Sequence, residues 1–161
     1  MDSKYQPQLV EKKIYKKWEE KGYFKANPNS GKKPFSIILP PPNANANLHL
    51  GHAMYVYEDI MIRYKKLSGF ETLWLPGADH AGIETQYVFE KFLQKQDKSR
   101  FDYDRKTLFQ MIWKFVMENR SNMENQLRRL GFALDWSKKK FTMDEDIVDT
   151  VYQTFKKLFD Q

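Results

Sequence analysis

Residues 35–77 read FSIILPPPNANANLHLGHAMYVYEDIMIRYKKLSGFETLWLPG, the most strongly patterned stretch of the chain. The apolar run at 35–39 is followed at once by prolines, which predicts a short buried strand that ends there. Residues 51–68 carry apolar side chains at helical spacing, and a glycine follows as a stop. A second strand-like run occupies 70–75. Strand, helix and strand over this length predict one βαβ unit, with parallel strands and a right-handed crossover.

The segments on either side predict mainly helices. Residues 7–21 have apolar positions at helical spacing, and a turn-rich loop follows at 26–34. Downstream, one helix is predicted at 83–96 and a longer one at 104–130, with Asp104 as its N-cap.

A capping-box pattern precedes the last predicted helix. In the order Thr142-Met143-Asp144-Glu145, Thr142 would be the N-cap and Glu145 its partner three residues on. The helix that follows has four apolar side chains on one side, at Ile147, Val151, Phe155 and Leu158.

Composition limits the classes of protein that the chain can represent. Of its 161 residues, 41% are hydrophobic and 16% aromatic, which excludes a disordered tail. No stretch is long and uncharged enough for a membrane span, and we expect no secretory signal. The absence of cysteine excludes disulfides and thiolate metal sites and favours the cytoplasm. The net charge of +6 suits a polyanionic partner.

Two histidines lie where the first strand gives way to the helix. His49 and His52 flank Gly51 at the predicted helix start. Free backbone N–H groups there favour phosphate, imidazoles can hydrogen-bond phosphate oxygens, and glycine lets a flat group approach the backbone. The pattern therefore predicts a phosphate-binding site. In the alternative interpretation, one histidine caps the helix and the other lies on the surface.

A second polar group follows the second strand. Asp79 and His80 lie in the sequence LPGADHAG at 75–82. Ligands of open α/β sheets bind at the carboxyl ends of the strands, where a carboxylate can pair with an ammonium group. The alternatives are that Asp79 caps the next helix and that His80 makes a structural hydrogen bond.

Together these motifs resemble the valyl-tRNA synthetases, which are class I aminoacyl-tRNA synthetases with the HIGH signature. The string DHAGIETQ at 79–86 is far more specific than HLGH at 49–52. The segments that carry the resemblance read ILPPPN (38–43), LHLGHA (48–53), WLPGADHAGIETQ (74–86), NMENQL (122–127), LGFALDWS (130–137) and FTMD (141–144). The related isoleucyl enzymes usually read PPYANG and PGWDTHG at the two corresponding places, unlike this chain.

The resemblance implies an α/β fold: the N-terminal half of a Rossmann-type (HUP-like) parallel sheet with flanking helices, and a helix-rich C-terminal part. It implies an N-terminal helix and loop at 1–34 and the first half of the class I catalytic Rossmann domain at 35–161. The family's second signature, KMSKS, does not occur in the sequence. We therefore expect the chain to be the N-terminal piece of a longer enzyme, without its editing insertion, second Rossmann half and anticodon-binding domain.

The resemblance also implies the site residues. His49 and His52 would be catalytic groups that contact the ATP phosphates, and Gly51 would let adenine lie on the backbone. Asp79 would hold the α-amino group of valine, in a pocket with Pro41 (through its carbonyl), Asn43 and His80. The valine carboxylate attacks the α-phosphorus of ATP in line, which needs positioning and charge neutralisation more than a protein nucleophile. Magnesium would arrive with ATP, and we expect no protein-bound metal.

Two departures from the family pattern surround the HIGH-like motif. The loop at 44–47 lacks the usual glycine, and the helix between His52 and Glu58 has one residue fewer. A deletion inside a helix turns everything beyond it by about 100°, so we expect a bulge or an altered helix start.

Three functions are compatible with the sequence. The first is the N-terminal part of a monomeric, cytoplasmic aminoacyl-tRNA ligase whose partners are ATP, valine and tRNA(Val), with no membrane contact. The second is an isoleucyl-type synthetase, and the third is a free-standing, non-catalytic paralogue that binds nucleotide or RNA. In the first case we expect the chain alone to be inactive, because it holds only the HIGH side of ATP.

Overall fold

The computed structural model describes residues 4–161. The elements in chain order are α1 Pro7–Glu20, β1 Pro34–Ile38, a 3₁₀ helix Leu50–Met54, α2 Tyr55–Leu67, β2 Glu71–Leu75, β3 Gly77–Ala78, α3 Gly82–Gln94, a 3₁₀ helix Arg100–Asp102, α4 Arg105–Arg129, a 3₁₀ helix Trp136–Lys138, β4 Lys140–Phe141 and α5 Glu145–Phe159. Each predicted helix and strand is present, with ends that differ by a few residues. Leu50–Met54 winds as a 3₁₀ helix before α2 begins, and the bulge or altered helix start expected from the family pattern stays a prediction.

The elements form two compact units, each assembled from three separate stretches of chain. The first unit contains the described residues up to Pro40, with Leu48–Pro76 and Glu124–Lys139. The second unit contains Pro41–Asn47, Gly77–Met123 and Lys140–Gln161. The division that the sequence predicts between residues 34 and 35 stays a prediction.

The first unit contains the predicted βαβ motif. β1 and β2 pair in parallel, with Ile37 opposite Trp74, and α2 connects them. One further hydrogen bond, from the N–H of Leu39 to the carbonyl of Leu75 (3.0 Å), extends the ladder to the first proline. The predicted α/β class with parallel strands is therefore confirmed.

The core of the first unit lies between this motif and the segment around the end of α4. Its buried members are Leu39, Tyr55, Ile62, Trp74, Leu127, Phe132, Ala133 and Leu134. Tyr15 attaches α1 to this core, because its hydroxyl donates to the carbonyl of Phe132 and accepts from Nε1 of Trp136, both over 2.8 Å. Burial raises the pKa of Tyr15 to about 12, so the hydroxyl keeps the proton that it donates.

The second unit is built around a short parallel pair and a cluster of aromatic rings. β3 and β4 pair over two residues, with Ala78 opposite Phe141. The rings of Phe89, Phe92 and Phe115 lie with centroids 5.4–5.9 Å apart between α3 and α4. Because β3 and β4 run in the same direction, the residues that follow them emerge side by side, which positions part of the candidate site described below.

One of the two predicted helix caps is present and the other is not. The carboxylate of Asp104 accepts from the N–H groups of Lys106 and Thr107 at the start of α4, as predicted. The predicted capping box before α5 is wrong, since the N-cap is Asp144 and makes no side-chain cap bond. The hydroxyl of Thr142 donates to Asp79 instead, because strand pairing places a carboxylate beside it.

Two further observations concern the helices. No helix within residues 4–161 combines the length and the apolar character that crossing a membrane requires. On α5, the predicted apolar side is exposed, with 46% of Val151, 68% of Phe155 and 64% of Leu158 accessible to solvent.

Candidate functional site

His49 and His52 form a mutually capped pair at the 3₁₀ helix that leads into α2. The N–H of His49 donates to Nδ1 of His52 (3.0 Å), and the N–H of Gly51 donates to Nδ1 of His49 (3.1 Å). The two ring centroids lie 4.1 Å apart. A structural capping role is thus present, and it engages the Nδ1 atom of each ring.

These hydrogen bonds determine the tautomer of both neutral rings. A ring nitrogen that accepts a hydrogen bond carries no proton, so in each ring the proton lies on Nε2. The 3.2 Å contact between Nδ1 of His52 and the carbonyl of His49 is then a contact of two acceptors and not a hydrogen bond. Each histidine therefore caps with one nitrogen and has an N–H donor on the other.

The pKa of His52 favours this neutral state. Burial lowers the pKa below its ordinary value of 6.5, and the charge of a protonated His49 lowers it further, while the carbonyl of His49, to which a protonated Nδ1 would donate, partly opposes both. At neutral pH the Nδ1 atom of His52 consequently stays an acceptor, and the capping bond from His49 is retained.

Gly51 has a steric role beside the His49 ring. A Cβ atom at this position would lie 2.8 Å from Cε1 and 3.0 Å from Nδ1 of that ring. Any larger residue would therefore displace the ring from its capping position. Nearby, the hydroxyl of Tyr55 donates to the carbonyl of Pro40 (2.7 Å), which ties the start of α2 to the end of the β1 ladder.

The backbone of Asp79 is held by the proline-rich segment of its own unit. Its N–H donates to the carbonyl of Pro42 (3.0 Å), and its carbonyl accepts from the N–H of Ala44 (2.8 Å). These two bonds make a parallel bridge between Asn43 and Asp79. Strand-like pairing thus places two of the predicted pocket residues opposite each other.

The side chains of Asp79 and His80 share one partner, Thr142. Its Oγ1 lies 3.0 Å from Oδ1 of Asp79, 2.9 Å from the backbone N of His80 and 2.7 Å from Nδ1 of His80. Solvent reaches 36% of the Asp79 side chain and 43% of the His80 side chain. A ligand can consequently contact both while Thr142 holds them.

Asp79 does not cap α3, so the capping interpretation of this residue is wrong. The N-cap is Ala81, which has a left-handed backbone at φ 51 and makes no side-chain cap bond. A non-glycine residue in this region is strained and needs support from its surroundings. The buried Thr85 provides some, because its hydroxyl donates to the carbonyl of His80 (2.6 Å).

The other two predicted pocket residues also have defined neighbours. The amide nitrogen of Asn43 donates to Oε2 of Glu84, 2.7 Å away. Pro41 lies close to Gly77, since a Cβ atom on that glycine would come within 3.3 Å of Cβ of Pro41. Small size at residue 77 therefore makes room for the proline.

The predicted site residues fall into two groups, one in each unit. The first unit contains His49, Gly51 and His52, and the second contains Pro41, Asn43, Asp79 and His80. Within the part of the chain that the structure describes, no three His, Asp or Glu side chains are grouped so that they could hold a metal ion.

The family model that describes tRNA synthetases of class I (I, L, M and V) matches residues 13–161. The chain belongs to this family. It is 44% identical to a valine–tRNA ligase of Geobacter sulfurreducens over 98% of its length and 48% identical to one of Dehalococcoides mccartyi over 99%. It is also 47% identical over 94% of its length to the chloroplastic/mitochondrial valine–tRNA ligase 2 of Arabidopsis thaliana.

This class I tRNA synthetase chain spans about a sixth of the length of those relatives, between 16% and 18%. Its fold is similar to that of a solved structure, a ternary complex of Agrobacterium radiobacter K84 agnB2 LeuRS with tRNA and LeuAMS. The TM-score is 0.81 at 23% identity, over 98% of this chain and 18% of that one. At that identity the likeness concerns the fold alone.

Three side chains of this synthetase chain hydrogen-bond to predicted pocket residues without having been predicted to do so: Glu84, Thr85 and Thr142. The sequence predicts a helix cap for Thr142 and no role for Glu84 or Thr85. A threonine before Met-Asp-Glu is a local capping signal, and nothing local in the sequence indicates a partner 63 residues away. Only the β3–β4 register brings Thr142 beside Asp79.

Proposed function

We propose that this synthetase chain is the N-terminal part of the catalytic domain of a valine–tRNA ligase, which activates valine with ATP to valyl-adenylate and transfers the valyl group to tRNA(Val). The observation that carries the proposal is the 44–48% identity to proteins named valine–tRNA ligase. That identity extends over 94–99% of the chain and so covers both groups of site residues.

In this proposal His49 and His52 bind the phosphates of ATP through their Nε2–H groups. Donors that are fixed before the reaction stabilise charge that develops on phosphate oxygens without reorganising at that moment. The capping bonds to the two Nδ1 atoms supply such fixation. Gly51 accommodates the His49 ring and leaves the backbone accessible to adenine.

Valine binds in the second unit. Asp79 pairs with the α-ammonium group, since a carboxylate forms strong charge-assisted hydrogen bonds with such a donor. Asn43, which is oriented by Glu84, and Pro41, through its carbonyl, line the pocket with His80. The parallel bridge between Asn43 and Asp79 supports this assignment, because it fixes their spacing through the backbone.

The chemistry proceeds in two displacements. A carboxylate oxygen of valine attacks the α-phosphorus of ATP, and the bond to the leaving pyrophosphate breaks. A hydroxyl of the tRNA then attacks the carbonyl carbon of the adenylate, and AMP leaves. Neither step needs a protein nucleophile, so the residues named here act by positioning and charge neutralisation. Magnesium would enter with ATP as part of the substrate, bound mainly by its phosphates.

The remaining features of the proposal concern the whole protein. Residues 1–34 would be an N-terminal helix and loop, and 35–161 the first half of the catalytic Rossmann domain. The protein would act as a cytoplasmic monomer, and its contacts with tRNA(Val) would belong to the full-length enzyme.

Amino-acid-dependent exchange of pyrophosphate into ATP tests the proposal. The full-length protein that contains this chain is expected to catalyse exchange with valine and to prefer valine over isoleucine. A preference for isoleucine would instead indicate an isoleucyl-type synthetase. Nucleotide or RNA binding without exchange for any amino acid would indicate a non-catalytic paralogue.

A further inference from the structure

Thr142 has no role in the proposed function, yet its hydroxyl contacts the side chains of both Asp79 and His80, which belong to the proposed valine pocket. The hydroxyl oxygen makes three contacts: to Oδ1 of Asp79 (3.0 Å), to the backbone N of His80 (2.9 Å) and to Nδ1 of His80 (2.7 Å). A hydroxyl has one proton to donate and two lone pairs with which to accept. Three contacts therefore use its full hydrogen-bonding capacity.

Only one distribution of protons satisfies all three contacts. A carboxylate can only accept and a backbone N–H can only donate, so Thr142 donates to Asp79 and accepts from the backbone of His80. The remaining lone pair of the hydroxyl must then accept from Nδ1 of His80. In a neutral ring, a proton on Nδ1 leaves Nε2 unprotonated.

We propose that Thr142 is a positioning residue that aims the Asp79 carboxylate at the α-ammonium group of the amino-acid substrate and selects the Nδ1–H tautomer of His80, which leaves Nε2 of His80 as a second, unprotonated acceptor. This inference rests on the proposed function, which puts that group at Asp79. An ammonium has three N–H donors and no acceptor. The carboxylate of Asp79 thus supplies one of its three partners.

The surroundings of His80 fit this role. Within residues 4–161, Nε2 of His80 has no hydrogen-bond partner, and nearly half of the side chain is exposed. The backbone is fixed on both sides, by Thr142 at the N–H and by Thr85 at the carbonyl. Ala81, which follows, has a left-handed backbone at φ 51, a conformation that needs support from its surroundings.

The histidines of the two groups have opposite tautomers. In His49 and His52 the acceptor is Nδ1 and the donor is Nε2, which suits an anionic phosphate. In His80 the contact with Thr142 reverses this arrangement, and an unprotonated Nε2 suits a cation. The hydrogen bond made by Nδ1 therefore decides which charge each ring can recognise.

The tautomer is measured by ¹⁵N NMR of the histidine rings in the 161-residue chain, at a pH above the ordinary histidine pKa. We expect a protonated Nδ1 and an unprotonated Nε2 for His80. Thr142→Val should shift His80 towards the Nε2–H form, whereas Thr142→Ser, which keeps a hydroxyl, should not. The control is Thr154→Val, which removes a hydroxyl that donates to the Thr150 carbonyl on exposed α5. An Nε2–H tautomer in the unsubstituted chain would overturn the inference.

Pyrophosphate exchange by the full-length protein gives an independent measure. Thr142→Val is expected to raise the KM for valine about 10- to 100-fold, which is the range for losing hydrogen bonds to a charged group. The KM for ATP should be unchanged, and Thr142→Ser should recover most of the valine KM. A merely structural role would instead change both KM values together or lower the concentration of active enzyme.

The two measurements separate the inference from the proposed function. If the unsubstituted protein exchanges pyrophosphate without valine dependence, the proposed function fails, and the NMR measurement still judges the role of Thr142. If valine dependence is normal but Thr142→Val changes neither the tautomer nor the valine KM, the inference is wrong and the proposed function stands.

Discussion

The backbone N–H of His49 donates to Nδ1 of His52 over 3.0 Å, and this bond uses only one of the two nitrogens of the ring. With Nδ1 engaged in capping, the proton of the neutral ring lies on Nε2 and can be donated to a ligand. The structural and the ligand-binding interpretations of the HLGH motif are therefore compatible, because they use different nitrogens. Substitutions that replace one ring nitrogen at a time can distinguish the capping role from the ligand-binding role.

The first prediction uses His52→Asn and His52→Gln. Asparagine places an acceptor near the position of Nδ1, whereas glutamine places an N–H donor near the position of Nε2. We expect His52→Asn to fold normally and to slow valyl-adenylate formation by about 10- to 1000-fold, the cost of one donor to developing charge. His52→Gln should retain more activity. Pyrophosphate exchange and thermal unfolding measure the two effects, and normal exchange with an unchanged Tm in His52→Asn would leave only the capping role.

The second prediction concerns Asp79→Asn. The amide oxygen still accepts from Thr142, so the fold is expected to be unchanged, while the negative charge that pairs with the ammonium is lost. Valine binding should weaken by about 2–5 kcal/mol if that pair is desolvated, and ATP binding should be nearly unaffected. Isothermal titration with each ligand measures this, with Asp149→Asn on exposed α5 as the control. Equal weakening towards both ligands would contradict a specific ammonium contact.

The third prediction is a pH dependence that comes from His52. Its pKa in the folded chain lies below the ordinary 6.5 because of burial, so between these two values the unfolded chain binds more protons. The contribution of His52 to the free energy of unfolding is therefore complete above pH 6.5, and it is progressively lost as the pH falls towards the pKa of His52 in the folded chain. Urea unfolding at a series of pH values gives the free energy of unfolding as a function of pH. In this window that free energy should change less steeply with pH for His52→Gln than for the unsubstituted chain. The same slope in both proteins would mean that His52 titrates normally when folded.

The fourth prediction concerns Tyr15→Phe. This change removes the hydroxyl that donates to the Phe132 carbonyl and accepts from Nε1 of Trp136. Both of these groups then lose their hydrogen bond to Tyr15. A buried polar group that loses its partner costs about 1–3 kcal/mol, so the free energy of unfolding should fall by that amount. Tyr152→Phe, at a side chain that is 70% exposed, is the matched control and should be nearly neutral. Equal effects of the two changes would show that the Tyr15 hydroxyl does not attach α1.

The fifth prediction concerns the 161-residue chain by itself. We expect it to fold and to bind ATP weakly at most, because it contains the HLGH motif and lacks a KMSKS motif. Valine-dependent exchange and charging of tRNA(Val) should both be undetectable beside the full-length protein. Charging at about a hundredth of the full-length rate would contradict the proposal that the second half of the site is needed.

Local patterns were sufficient for most of the fold. The helices followed from apolar spacing with a period near 3.6, and the strand of 35–39 followed from an apolar run that prolines end. The predicted cap of α4 by Asp104 was confirmed, since the donors lie two and three residues away. The cap predicted for Thr142 was wrong because its hydroxyl found a charged acceptor on a distant segment.

The sequence by itself determined the order of the elements, the βαβ motif and the residue types available for phosphate and ammonium recognition. These depend on periodicity, on chain-breaking residues and on side-chain chemistry, all of which act within a few residues. Only the tertiary structure decided which nitrogen of each histidine carries the proton and which hydroxyl holds Asp79. A proton position depends on the partner across space, and Thr142 becomes that partner through the pairing of β3 with β4.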